Sequence, residues 1–288
     1  MLEALKAILF GLVEGITEWL PISSTGHMIL LDEFVQLDVS ASFYDLFEIV
    51  IQLGAILAVI VLFFHKLNPL SPKKTPAAKK STWSLWFKVI AAVLPSAVIG
   101  LVLDEKLDGY LRSVEIAGAS LNAIVVAAAL VIYGVLFILV ERSRANKTPA
   151  IGKVSQISYK TALLIGAFQC LSIIPGTSRS GATILGALLL GVSRSAGAEF
   201  SFFLAIPTML GASALKLLMY VKDIAEGVAA MPTGMELMVL FIGCVVAFVV
   251  SMVVIKGLME YVRRHSFSAF GVYRIILGLV LLLYFFLR

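Results

Sequence analysis

Glu14 and Glu18 stand four residues apart in a stretch, residues 11–30, that reads GLVEGITEWLPISSTGHMIL. On a helix that spacing puts both carboxylates on one face. Apolar sequence flanks the stretch on both sides, and an ionisable group at membrane depth costs at least ~2.5–3.5 kcal/mol, so such groups mark functional sites. Pro21 ends or bends the helix. Ser23, Ser24, Thr25 and Gly26 then supply hydroxyls and a pliable backbone, and His27 follows at once. Glu14 and Glu18 are hard oxygen ligands suited to Mg²⁺ or Ca²⁺, ions usually held by one or two carboxylates together with substrate phosphates. His27 can serve as nucleophile, general acid or general base near neutral pH.

A second stretch, residues 166–186, reads GAFQCLSIIPGTSRSGATILG. Shifted by 155 positions without gaps, Gly11 meets Gly166, Glu14 meets Gln169, Ser23 meets Ser178, Thr25 meets Ser180 and Gly26 meets Gly181. Ser24 meets Arg179, a planar fork matched to phosphate oxygens. If a helix starts after each break, the backbone N–H groups of residues 23–26 and 176–181 form anion sites at helix N-termini. Thr177, Ser178 and Ser180 add hydroxyls there. These are the parts for hydrolysing a phosphate ester or anhydride. Structural alternatives exist for the same residues: Glu18 with His27 as a bridge within the hairpin, and Arg179 as a cap on carbonyls of the first break.

The elements that must position these groups follow from composition. Of 288 residues 60% are hydrophobic and 14% charged, and the mean hydropathy is +1.01. That is an integral membrane protein. No cleavable signal peptide is expected, and Cys170 and Cys244 suggest neither a disulfide framework nor a metal cluster. The net charge of +5 gathers in particular loops, so it reports topology and not nucleic-acid binding. Nothing in the pattern sets an oligomeric state.

The expected architecture is all-α and polytopic. Six transmembrane helices at 43–64, 89–103, 116–140, 196–219, 237–259 and 269–287 accompany two re-entrant helical hairpins at 1–31 and 161–190. Paired interruptions of this kind indicate an inverted-topology repeat with a midplane site, within one membrane domain, 1–288: repeat 1 at about 1–140 and repeat 2 at about 156–288. Residues 65–88 hold six lysines, three prolines and no acid, and 141–160 hold five basic residues against one acid. With 260–268 they read as cytoplasmic loops. The links at 104–113 and 220–236, and both termini, are then outside, with the first hairpin opening outward.

EGITEWLPISSTGH and PGTSRSG resemble the two signature motifs of the bacterial undecaprenyl-diphosphate phosphatase family, also called bacitracin-resistance proteins. The likeness extends through FEIVIQLGAILAV at 47–59 and EFSFFLAIP at 199–207. The resemblance implies removal of the terminal phosphate from undecaprenyl diphosphate, the lipid carrier of cell-wall synthesis, with a divalent cation. It implies an external active site and a transporter-like fold of interdigitated repeats. Its functional positions fall on Glu14, Glu18, Ser24, His27 and Arg179, and it leaves open whether His27 attacks phosphorus or Ser24 does. A lipid-phosphate transporter or flippase with a midplane site is the alternative, since it too would use inverted repeats and arginine–phosphate contacts. Glu48, Gln52 and Glu199 either line the cavity or tie helices together.

Overall fold

The computed structural model describes residues 1–116 and 119–287. The side chains of Asp104, Glu105, Asp108, Arg112 and 115–120 also lie outside the described set. The helices in chain order are α1 (Leu2–Thr17), α2 (Ser24–Phe34), α3 (Ala41–Leu62), α4 (Phe64–Leu67), α5 (Pro76–Ser113), α6 (Leu121–Arg144), α7 (Tyr159–Gln169), α8 (Arg179–Leu189), α9 (Arg194–Ala225), α10 (Gly234–Arg264) and α11 (Ser268–Leu287). One two-residue pairing, Glu115–Ile116 with Ala119–Ser120, accompanies them. Among the described residues six helices are long and apolar enough to cross a membrane: α3, the 76–103 part of α5, α6, α9, α10 and α11. The protein is an all-α, multi-pass membrane protein.

Boundaries depart from expectation mainly at the lysine-rich loop. Its second half is helix, because Thr75 caps α5 by accepting the Ala78 N–H (3.2 Å) and Pro76 takes the first turn, where a missing N–H costs nothing. Only the four-residue α4 and a loop precede it. At the other end α5 continues to Ser113, ten residues past the expected span. The third span was expected from residue 116; positions 117 and 118 lie outside the described residues, and α6 starts at Leu121.

The two interrupted stretches fold alike. Each is a helix, a break and a second helix, and each second helix starts from a serine with positive φ: Ser23 (75°) and Ser178 (71°). A non-glycine residue rarely sits there. The compensation is a cap, since the Gly26 N–H donates to Ser23 Oγ (3.3 Å) and the Gly181 N–H to Ser178 Oγ (3.1 Å). These are the pairs that the 155-residue register matches. Packing is exchanged between the halves, with α1 against α10 and α7 against α5. Gly11 and Gly166, matched in the same register, permit both approaches: a Cβ on Gly11 would lie 2.7 Å from the Gly243 carbonyl, and one on Gly166 would strike the Ala92 carbonyl. Small residues set such close membrane-helix contacts.

Candidate active site

Glu18 ends α1 as its C-cap, and Ser24 begins α2 after a turn of five residues. The chain thus folds back so that the two side chains face each other across the break. The Ser24 hydroxyl donates to Glu18 Oε2 at 2.8 Å. The other oxygen, Oε1, accepts from Arg179 Nη2 at 3.1 Å. Arg179 sits at the first position of α8, and its Nη1 donates to the Ser201 carbonyl of α9 (2.9 Å). One carboxylate therefore joins a hydroxyl from the first hairpin to a guanidinium from the second, and about a tenth or less of either charged side chain is exposed. The buried Arg179 Nε has no protein partner. It is a donor in reserve, beside a half-buried serine.

Glu14 lies one turn before Glu18 and is 1% exposed. It feels the charges of Glu18, Glu48 and Arg179, and its Oε1 has no hydrogen-bond partner. A buried, unpartnered carboxylate oxygen is costly unless something else completes it. A hard cation fits that need. Among the described residues no three His, Cys, Asp or Glu side chains converge to hold a metal by themselves, so a cation here would draw further oxygens from its substrate.

The ring nitrogens of His27 find partners other than Ser24. Its Nδ1 is 2.7 Å from the Ser23 carbonyl, and its Nε2 is 2.7 Å from the Tyr273 hydroxyl of α11. The two rings are parallel, with centroids 5.6 Å apart. The bridge between Glu18 and His27, the structural alternative for these residues, is not among these contacts.

The remaining expected residues serve mostly as framework. Ser23 and Ser178 cap α2 and α8. Ser180 donates to the carbonyls of Glu18 and Leu20, both at 3.2 Å, and so holds the first break on the second. Thr177 is fully buried, Gly26 is buried beneath the first turn of α2, and Thr25 is exposed at that turn. Gln169, the counterpart of Glu14, binds Ser96 (2.6 Å) and Thr208 (3.2 Å). Glu199 ties α9 to α4 through Lys66 (2.6 Å).

Two residues that sequence reasoning passed over complete the frame, and both are on α11. Tyr273 holds His27. Arg274 is fully buried and donates to the carbonyls of Pro21 (3.1 Å), Gly176 (2.9 Å) and Thr177 (3.0 Å). Its guanidinium also lies over the Tyr133 ring at 5.6 Å. The carbonyl-capping role considered for Arg179 thus belongs to Arg274, which caps both breaks. The available signal was a charged residue inside an otherwise apolar span.

A family model described as "Bacitracin resistance protein BacA" matches residues 7–280. The chain is 53% identical over 285 residues to the undecaprenyl-diphosphatase of Limosilactobacillus fermentum, covering 99% of this chain and 98% of that one. It is 55% identical over 287 residues to undecaprenyl-diphosphatase 1 of Clostridioides difficile, covering 100% and 98%. With the undecaprenyl-diphosphatase of Enterococcus faecalis it shares 54% identity over 284 residues, covering 98% and 97%. Matched from end to end, and with its two broken helices meeting at Glu18, Ser24 and Arg179, the chain belongs to the bacitracin resistance protein BacA family.

Proposed function

We propose that this protein is an undecaprenyl-diphosphatase. It removes the terminal phosphate of undecaprenyl diphosphate, giving undecaprenyl phosphate and inorganic phosphate, and so returns the lipid carrier to cell-wall synthesis and confers bacitracin resistance. The observation that carries the reading is the hydroxyl–carboxylate–guanidinium set at Ser24, Glu18 and Arg179. A protein that only carried a lipid phosphate across the membrane would need the arginine but no hydroxyl held on a carboxylate.

Ser24 Oγ attacks the distal phosphorus, and Glu18 Oε2 takes its proton. The bond to the bridging oxygen breaks, and undecaprenyl phosphate leaves with the proton that Glu18 returns to it. Water then hydrolyses the phosphoserine, with Glu18 as base again. Arg179 binds the distal phosphate through Nε and the face not used by Glu18, and it stabilises the charge that develops in the transition state. The first-turn amides of α2 contribute to the same end. His27, with both ring nitrogens engaged, orients the start of α2 through the Ser23 carbonyl. Glu14, with Glu18 alongside, would hold a divalent cation, Mg²⁺ or Ca²⁺, which would neutralise diphosphate charge when bound.

The test is phosphate release from a C15 or C55 prenyl diphosphate by purified protein, with and without chelator. Release that a chelator stops and a divalent ion restores is expected. No release under either condition would sink the reading, and release indifferent to chelator would remove the cation. An inverted repeat is supported by the matched serine caps and the exchanged packing of α1 and α7. In the cytoplasmic membrane, loop charge favours both termini outside and an active site on the external face. A cysteine placed at Gly227 should then react with a membrane-impermeant thiol reagent in intact cells, and one at Lys73 should not. The reverse labelling would invert the orientation.

A further inference from the structure

Helix α8 carries Arg179 at its first residue and a basic cavity at its far end, roughly 15 Å away at ~1.5 Å per residue. The cavity, of about 290 Å³, is lined by Arg144, Lys147, Arg194 and Arg263 together with Glu141 and Ser193. Four cations face one carboxylate, and that carboxylate is already committed. Glu141 is 3% exposed; it takes two hydrogen bonds from Arg194 Nε (2.9 and 3.0 Å) and accepts the Phe267 N–H (2.9 Å). Arg144 donates to the Leu189 carbonyl at the end of α8. Among the described residues no acid pairs with Arg144 or Lys147. Arg263 meets only Glu260 at 3.7 Å, which it shares with Arg264.

Backbone polarity adds to the charge. Ser193 caps α9 by accepting the Ala196 N–H (3.3 Å). The preceding amides, of Arg194 and Ser195, have no partner within the helix, and both residues line the cavity. Unpaired amides at the start of a long helix favour anions. Here that helix start lines the same space as three cations that no buried acid neutralises. The volume is at the low end of the ~300–1,000 Å³ of small-ligand sites, enough for a head group but not for lipid tails.

We propose that this cavity is a second phosphate-binding site, distinct from the active site, and that it takes the phosphodiester head group of an anionic phospholipid. The proposed orientation puts it at the cytoplasmic surface, where basic pockets between membrane helices recognise such head groups. Free inorganic phosphate shares the chemistry and is the other source.

The experiment uses purified full-length protein in neutral detergent. It is titrated with an anionic phospholipid, with phosphatidylcholine, and with inorganic phosphate, and binding is read by native mass spectrometry and by the shift in melting temperature. Wild type should retain the anionic lipid in preference to phosphatidylcholine. The double variant Lys147→Gln, Arg263→Gln should bind it about thirty-fold less tightly, from the usual contribution of two surface cations. Both side chains are exposed, so folding and turnover should be unchanged. A matched control, Lys73→Gln with Lys80→Gln, removes as much charge outside the cavity and should bind as wild type does. Phosphate that binds and is lost in the same double variant, with no lipid preference, supports the site with the free anion as occupant. Equal retention of phosphatidylcholine without phosphate binding, or equal loss in the control variant, would overturn the proposal.

Discussion

Glu18→Gln is expected to lose a factor of about 10²–10⁴ in turnover, the usual contribution of a positioned general base. The amide preserves shape and can still accept from the Ser24 hydroxyl, 2.8 Å away in the native protein. It cannot hold the proton that the attacking oxygen must release. The same change removes the counter-charge of Arg179 at 3.1 Å, so the guanidinium loses the partner that aims it. Glu14→Gln should behave differently. Glu14 touches neither Ser24 nor Arg179 and leaves Oε1 without a partner, so its loss should raise the divalent-ion concentration needed for activity more than it lowers the rate at saturating ion. The measurement is turnover of prenyl diphosphate against a Mg²⁺ or Ca²⁺ titration for each variant. If Glu18→Gln kept wild-type turnover, Ser24 would not be the nucleophile that this carboxylate activates.

Arg179→Ala is expected to reduce turnover by about 10²–10³, the effect of removing one preorganised donor to a transition-state oxyanion. Arg179→Lys keeps the charge but loses the fork, and it should be strongly impaired though less so than alanine. The residue lies 152 positions from His27 and 161 from Glu18 in the chain, so the phosphate would feel the loss only because the two hairpins pack together. A stability cost should accompany the alanine variant. Removing one partner of a buried pair strands the other, at ~3–5 kcal/mol in a dry interior. Melting temperature in detergent, measured beside turnover, separates the two effects. Near-normal turnover would take Arg179 out of the site, whereas lost turnover with a collapsed melting temperature would make it a structural tie.

The parts of the site legible in the sequence were those with local grammar. Proline after an apolar helix, then a run of small hydroxyl residues, announces a break and a fresh helix start. The 155-residue register placed Ser23 on Ser178 and Gly26 on Gly181, and both pairs form the same cap. Spans were legible because lipid demands long apolar helices. What stayed hidden has no local signature. Ser24 meets Glu18 because of the way the chain turns between α1 and α2, and His27 is held by the Ser23 carbonyl and, from α11, by Tyr273. Tyr273 and Arg274 belong to no motif. They matter only through contacts with residues about 100 to 250 positions earlier. The lysine-rich loop hid the start of α5 because charge there reports sidedness and says little about backbone conformation.

Arg274 has a consequence for how the protein is made. It lies on α11, which is translated after both breaks, yet it supplies the hydrogen bonds that hold Pro21 in the first break and Gly176 and Thr177 in the second. Chains grow at roughly 5–20 residues per second. The first break therefore waits for many seconds of synthesis with its carbonyl unfilled, and the second waits for nearly a hundred further residues. Until α11 inserts, Ser180 and Arg179 can tie the two tips together, but the buried cation that caps both is missing. A nascent chain that has not yet made α11 would carry Glu18, Ser24 and Arg179 with the carbonyls of Pro21, Gly176 and Thr177 still uncapped.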